Sequence, residues 1–337
     1  MCIDLRSDTV TQPTPEIREA MCRAKVGDDV MDCDPTVSRL EEMSAEMLGK
    51  EAGMFVPSGT QSNLCALLSH CDRGDEYLVG QTAHTYLFEG GGAAVFGSIQ
   101  PQSLDQEEDG TLALDKLAAL VKPDDFHFAR TKLLCLENTT WGKVLPLDYL
   151  KLVQSFANDY QLSLHLDGAR LFNASAATGV SAVQLARPFD SVSICLSKGL
   201  GAPVGSVLVA STSFIKEAKR WRKMLGGGMR QSGMLAAAGI YVLENHIERL
   251  VEDHENARQL GESLAGISKL KVDPVQTNMV FVDLSRFDGA AVSRSLEAKG
   301  IKIGGYTGGK QRLVTHLGIS AKDIGYVVKS FEEACEG

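Results

Sequence analysis

Short apolar runs, each stopped by Gly, Ser, Asp or Asn, alternate along most of this chain with stretches whose apolar residues recur every three or four positions. Strand, helix and strand in that rhythm build a parallel sheet covered on both faces, so the alternation predicts an α/β fold. Strands are expected at 53–56, 76–79, 132–136, 162–166, 191–196 and 206–209. Pro146 opens a helix whose Leu150, Val153, Phe156, Ala157 and Tyr160 form one apolar stripe. Residues 229–250 read as an alanine-rich helix and 252–264 as a charged, solvated helix bridging two lobes. A strand at 278–284, a helix at 290–299, a strand at 312–316 and a closing helix at 322–335 follow. With 337 residues to place, the expectation is a large domain over 1–247, N-terminal segment included, with a mostly parallel central sheet, and a smaller C-terminal α/β domain over 248–337.

Composition narrows the function. Hydrophobic residues at 44% against 23% charged ones support a sizeable core and exclude a disordered chain. The net charge of −9 disfavours polyanionic partners, so neither nucleic acid nor an anionic membrane surface is expected. The charged opening Asp4-Leu5-Arg6-Ser7-Asp8 interrupts any apolar signal, and no later run approaches the ~18 apolar residues of a membrane span. A cytoplasmic protein is expected. Eight cysteines, at 2, 22, 33, 65, 71, 135, 195 and 335, form no C-x-x-C pair and read as buried reduced thiols. Glycine, 33 of 337 residues, exceeds the usual ~7%, as turns and close backbone approaches to a ligand require.

Three segments carry chemistry. Val56-Pro57-Ser58-Gly59-Thr60-Gln61-Ser62-Asn63 leaves a strand and enters a helix. Free N–H groups at the helix start, the Ser58 and Thr60 hydroxyls and the bare Gly59 backbone suit a phosphate, although Ser-Gly-Thr is also a common turn and helix cap. His165-Leu166-Asp167-Gly168-Ala169-Arg170 ends a second strand, where ligands of open α/β sheets gather. There Asp167 is placed to meet a ring nitrogen, or Asp167 and Arg170 pair with each other. Ser197-Lys198-Gly199-Leu200-Gly201 sets a lysine at a third strand end, and a desolvated lysine offers a free amine to a carbonyl. The glycines after it do not form a dinucleotide loop, because Pro203 and a strand stand where that loop needs a helix. Residues 304–310 match a phosphate loop until Gln311 replaces the Mg²⁺-binding hydroxyl. Histidines 70, 84, 127, 165, 246, 254 and 316 show no zinc spacing, so no metal site is expected. Phosphate cradle, ring-nitrogen acid and amine, in that order, are what pyridoxal 5'-phosphate needs.

Ile3-Asp4-Leu5-Arg6-Ser7-Asp8-Thr9-Val10-Thr11, Val26-Gly27-Asp28-Asp29, the Pro-Ser-Gly-Thr turn, the segments around Asp167 and Lys198, and Gly226-Gly227-Gly228-Met229-Arg230-Gln231 together resemble the low-specificity L-threonine aldolases. The likeness runs over essentially the whole chain. It implies the type I pyridoxal phosphate fold, transferase-like, and a homodimer at least, usually a homotetramer. It also implies cleavage of L-threonine and L-allo-threonine to glycine and acetaldehyde. The resemblance further implies Lys198 as the lysine joined to the cofactor, Asp167 on the pyridine nitrogen, Arg170 near the ring oxygen and the substrate carboxylate, and Ser58, Gly59 and Thr60 around the phosphate. His84 matches the histidine stacked on the ring, and His127 the one reaching toward the substrate hydroxyl. Ser7 and Arg312 match positions that clamp the carboxylate. Lys223 and Arg230, from a basic cluster with Arg220 and Arg222, match residues near the phosphate, partly across a dimer.

Two stretches depart from the family pattern. Met31 stands where an aromatic is common, and Thr140-Trp141 where His-Asn is common. Both bear on the β-substituent of the substrate. Two other readings stand beside aldol cleavage: β-elimination on the same cofactor, and a module that binds pyridoxal phosphate without turnover.

Overall fold

Seven strands make the central sheet of the computed structural model, which describes residues 2–307 and 310–336. Across the sheet they run Ala52–Val56, Ser206–Ala210, Ser191–Cys195, Ser163–Gly168, Arg130–Glu137, Asp75–Gly80 and Gln100–Leu104. Ser206–Ala210 is antiparallel to both neighbours and every other pairing is parallel. The inner strands are buried on both faces, which is why they read as continuous apolar runs. Gln100–Leu104 was not legible: Gln100-Pro101-Gln102-Ser103 is polar and carries a proline, a composition that an edge strand tolerates.

Helices cover the sheet as the apolar spacing requires. Leu147–Tyr160 follows Pro146 and buries Leu150, Val153, Phe156 and Ala157, while Tyr160 stays exposed at its end. The alanine-rich helix is shorter than expected, Gly233–Asn245. Its start is tied to the N-terminal segment by the buried Asp34, whose carboxylate accepts from Gly27 N, Thr36 N and Gly233 N at 2.9–3.1 Å. Leu250–Ala265 then bridges two cores, with Leu250 in the first and Ala257, Leu260 and Leu264 in the second.

Around the second core lies a four-stranded antiparallel sheet of Tyr306–Thr307, Lys310–Val314, Met279–Asp283 and Lys271–Val272. Gly308 and Gly309 of the near-miss phosphate loop fall outside the described residues. One expectation is corrected here. The N-terminal strand Ile3–Leu5 pairs in parallel with Ile301–Ile303, and Ile3 and Leu5 are buried in the second core rather than the first. A second correction concerns the cysteines. Cys65, Cys71, Cys135 and Cys195 are buried in the central sheet or the helix Gly59–His70 and its end, but Cys2, Cys22 and Cys33 near the N-terminus are exposed.

Between the helix Gly59–His70 and the sheet a row of polar groups links the part-buried His70 Nε2 to Ser191 Oγ at 2.7 Å and Ser191 Oγ to the buried His165 Nδ1 at 2.8 Å. Burial pushes His70 down to about 3 and His165 to about 4, from an ordinary 6.5, so both are neutral in the fold. Below pH 6.5 the unfolded chain takes up these protons and the folded chain does not. Stability therefore falls as pH drops from 6.5 toward 4, by about 3 kcal/mol for His165 at about 1.4 kcal/mol per pH unit. Urea unfolding at pH 7 and pH 4.5 should show this acid loss, and His70→Gln should reduce it. An acid loss identical in the two proteins would contradict the assignment.

Candidate active site

Parallel strands deliver their C-terminal ends to one edge, and the antiparallel Ser206–Ala210 begins there. Lys198 follows Cys195 in a loop shaped by Gly201 at φ +91° and Gly205 at φ +110°. A side chain at Gly205 would run into the Phe55 ring at 2.5 Å. Lys198 lines a cavity of about 310 Å³ with Ser7, His84, Glu137, Arg170 and Arg312. The structure thus gathers six residues read or matched in the sequence, once the buried Asp167, with an oxygen within 4.8 Å of a His84 ring nitrogen, is added to Lys198, His84, Arg170, Ser7 and Arg312.

Asp167 is fixed on both oxygens, Oδ1 accepting from Ala169 N at 3.1 Å and Oδ2 from Asn63 Nδ2 at 2.8 Å. Asn63 is itself held by His165 Nε2 at 3.2 Å and donates to Glu89 Oε1 at 2.9 Å. Glu89 Oε1 also meets His84 Nδ1 at 2.8 Å. A ring nitrogen of His84 and a carboxylate oxygen each of Glu89 and Asp167 lie within 4.8 Å of one another, a cluster that the histidine spacing did not reveal. The hydrogen bond to Glu89 raises the His84 pKa, and burial raises that of Glu89, so the imidazole Nδ1 holds its proton toward the carboxylate and leaves Nε2 for other work. Glu89→Gln should lower the pKa of His84 and shift the acidic limb of the rate profile to lower pH, because a base limited by its own protonation recovers earlier. A pH–rate profile of the two proteins checks this; an unmoved acidic limb would contradict the pairing.

Arg170 does not pair with Asp167. Its Nε and Nη2 donate to both oxygens of the fully buried Asp8, at 2.8 and 2.6 Å. Burial works to raise Asp8, yet the Arg170 charge and hydrogen bond bring it down to about 2. Asn278 Nδ2 adds a third bond to Asp8 at 3.2 Å. Arg312 donates to Arg6 O at 3.1 Å, and burial, then the Arg170 charge, lower its pKa. Ser7 caps the short turn Asp8–Val10 and so is fixed beside both arginines. Burial pushes the Glu137 carboxyl up to about 7; its Oε2 accepts from His84 N at 2.9 Å.

At the other end of the edge, Ser58 Oγ accepts from Gln61 N and caps the helix Gly59–His70, leaving the first N–H groups of that helix free. Ser206 Oγ is buried there without a partner, and a side chain at Gly59 would lie 3.6 Å from it. Ser206, Asp8, Asn63, Glu89 and Glu137 escaped the sequence reading. Asp8 in the opening motif, Asn63 at the end of the Ser58-Gly59-Thr60 segment and Glu137 just before Thr140-Trp141 stand inside stretches that carried a signal, whereas Ser206 and Glu89 do not.

Other expectations are not met within one chain. His127 is exposed and bonded to Asp125 at 2.6 Å, just before the strand Arg130–Glu137. Seven residues at about 3.3 Å each put roughly 23 Å between Arg130 and Glu137, so His127 lies toward the far edge of the sheet. Lys223 lines a separate basic cavity with Lys219 and Arg220, and the exposed Arg230 pairs with Asp28 at 2.7 Å. Arg222 of that cluster is buried, donating to Phe55 O at 2.8 Å and pairing with Asp29 at 3.1 Å. Met31 is exposed on the turn Asp29–Met31, away from the Lys198 lining, whereas Trp141 is part of it.

Residues 4–286 match the model of the beta-eliminating lyase family. The chain is 56% identical over 327 residues to the low specificity L-threonine aldolase of Escherichia coli K12, covering 96% of this chain and 97% of that one. It is 45% identical to low-specificity L-threonine aldolase 1 of Arabidopsis thaliana, covering 98% and 96%. The solved threonine aldolase of Leishmania major superposes with a TM-score of 0.84 at 20% identity, covering 98% and 99%. The fold is that of the type I pyridoxal phosphate-dependent class. Within it, the chain belongs to the low-specificity L-threonine aldolase family.

Proposed function

We propose that this protein cleaves L-threonine and L-allo-threonine to glycine and acetaldehyde, using pyridoxal 5'-phosphate held at the sheet edge. The observation that carries the reading is the convergence there of Lys198, Asp167 and the partnerless Ser206 hydroxyl beside Gly59. These residues fit the cofactor: Lys198 would hold it covalently, Asp167 would keep the proton on its ring nitrogen, and Ser58, Gly59, Thr60 and Ser206 would take its phosphate. When bound, the cofactor supplies a sink for the electron pair released as the Cα–Cβ bond breaks.

The chain's own groups do the rest. Arg170 is already neutralised by Asp8, so Arg312 supplies the uncompensated charge for the substrate carboxylate, with Ser7 and the free Arg170 Nη1 as further donors. His84, oriented through Nδ1 by Glu89, offers Nε2 to the β-hydroxyl proton. Residues up to 247, apart from the strand Ile3–Leu5, would form the cofactor lobe, and 248–337 with that strand the smaller lobe that brings Arg312. His127, Lys223 and Arg230 would act from another copy, in a homodimer at least and in a homotetramer by the family pattern. No helix among the described residues is long and apolar enough to cross a membrane, and the cytoplasm is the proposed compartment.

β-Elimination, which the matched family's description favours, would release 2-oxobutanoate and ammonia from threonine instead. Glycine formation from L-threonine and L-allo-threonine tests the proposal. The holoenzyme should form it from both, and its absence from both would remove the reading.

A further inference from the structure

Next to the Lys198 pocket lies a second cavity of about 360 Å³, and the two share Thr82, Phe88, Trp141 and Met279. Leu87, Pro274 and Phe281 extend its apolar wall. Of the charges on its rim, Lys310 and Asp273 are satisfied by each other at 2.5 and 2.7 Å, and the Lys143 ammonium is turned to the Glu108 carbonyl. Trp141 stands where the two spaces meet. Its Nε1 donates to Thr82 O at 3.2 Å, and its ring meets Phe88 and Phe281 edge-on, with centroids 6.2 Å away in both cases. Its backbone sits at φ +51°, a conformation that a bulky residue holds only when its surroundings impose it. A side chain at the following Gly142 would come within 2.8 Å of Met279 Cβ, so the turn is pinned against that wall.

The lining of the Lys198 pocket divides by chemistry. Its charged and hydroxyl groups account for an amine, a carboxylate and a β-hydroxyl. Its apolar members are Phe88, Trp141 and Met279, and all three also face the second cavity. An apolar substituent on the β-carbon therefore has one surface to rest on, and that surface opens toward the second space. A cavity of about 150 Å³ is enough to hold benzene.

We propose that the second cavity is the subsite for the β-substituent of β-hydroxy-α-amino acids carrying an aryl or medium-length alkyl group, with Trp141 as the partition that limits how much of it such a group reaches. The assignment rests on the aldolase reading above. A methyl group, as in threonine, needs only the near side of the partition, whereas a phenyl group needs the space behind it.

The test compares kcat/KM for L-threo-phenylserine and L-threonine in the parent holoenzyme, Trp141→Ala, and Trp141→Ala combined with Leu87→Trp. Leu87 is half-exposed and lines the second cavity alone, so an indole there fills the space from outside. Removing the partition should raise the phenylserine-to-threonine ratio at least about fivefold, and refilling the cavity should take that gain away. An unchanged ratio in Trp141→Ala, or a gain that survives Leu87→Trp, would overturn the subsite. Binding of benzyl alcohol, followed by saturation-transfer NMR without any substrate, reads the cavity independently of turnover. It should strengthen in Trp141→Ala and be lost in the double variant, and the same weak binding in all three proteins would overturn the assignment. A parent that forms no glycine from threonine would sink the aldolase reading, while the benzyl alcohol titration still decides the cavity.

Discussion

Lys198→Ala should abolish glycine formation from L-threonine, with a loss on the order of 10⁴-fold or more, and should remove the visible absorbance of bound cofactor. Lys198 is the lysine in the lining of its pocket, among the described residues. Lys143 and Lys310 line the neighbouring cavity, and Lys310 is tied to Asp273. No second amine is therefore in place to substitute. Initial rates and an absorbance spectrum on the purified variant check the expectation, with Lys143→Ala prepared alongside to show that a nearby lysine does not matter in the same way. Activity within tenfold of the parent would mean that Lys198 is not the covalent lysine.

Asp167→Asn should keep the cofactor and lose about 10²- to 10³-fold in kcat. Both oxygens of Asp167 accept hydrogen bonds from fixed donors, Ala169 N and Asn63 Nδ2, which demands an acceptor at each position. An amide supplies one acceptor and one donor, so it sets a donor against a donor and offers the ring nitrogen no negative charge. Cofactor content should stay near one per chain, because Lys198 and the helix start at Gly59 are untouched. Equal rates in parent and variant would show that Asp167 does not hold the ring proton.

Lys198, Asp167 and the Ser58-Gly59-Thr60 turn were legible for one reason. Each stands just past an apolar run that stops sharply, and strand ends in an open α/β sheet share an edge. The groups that orient them were not legible, since their partners lie far off in sequence. Asp8 meets Arg170 across 162 residues and Asn63 meets Asp167 across 104, and neither distance leaves a local pattern. Arg170, three residues from Asp167, had a plausible neighbour in the sequence and a different one in the fold. Ser206 follows a glycine at φ +110° at the start of an antiparallel strand, and that reversed direction brings its hydroxyl beside Gly59 at the helix start.

His127 is a different case. Its place rests on motif resemblance alone, and its position before the strand that ends at Glu137 puts it at the opposite end of the parallel sheet from its own chain's Lys198, as a residue serving another copy would be. The polar edge strand Gln100–Leu104 and the pairing of Ile3–Leu5 with Ile301–Ile303 were hidden for a simpler cause. One lacks an apolar run, and the other joins the two ends of the chain.

The site around Lys198 is assigned to breaking the Cα–Cβ bond, and that claim meets its most direct test in the fate of one carbon. Incubation of the holoenzyme with L-threonine labelled with ¹³C at the β-carbon, followed by NMR of the mixture, reads it in one spectrum. The expected result is label in the carbonyl carbon of acetaldehyde, with unlabelled glycine in equal amount. Label retained in 2-oxobutanoate, with ammonia released and no glycine, would contradict it.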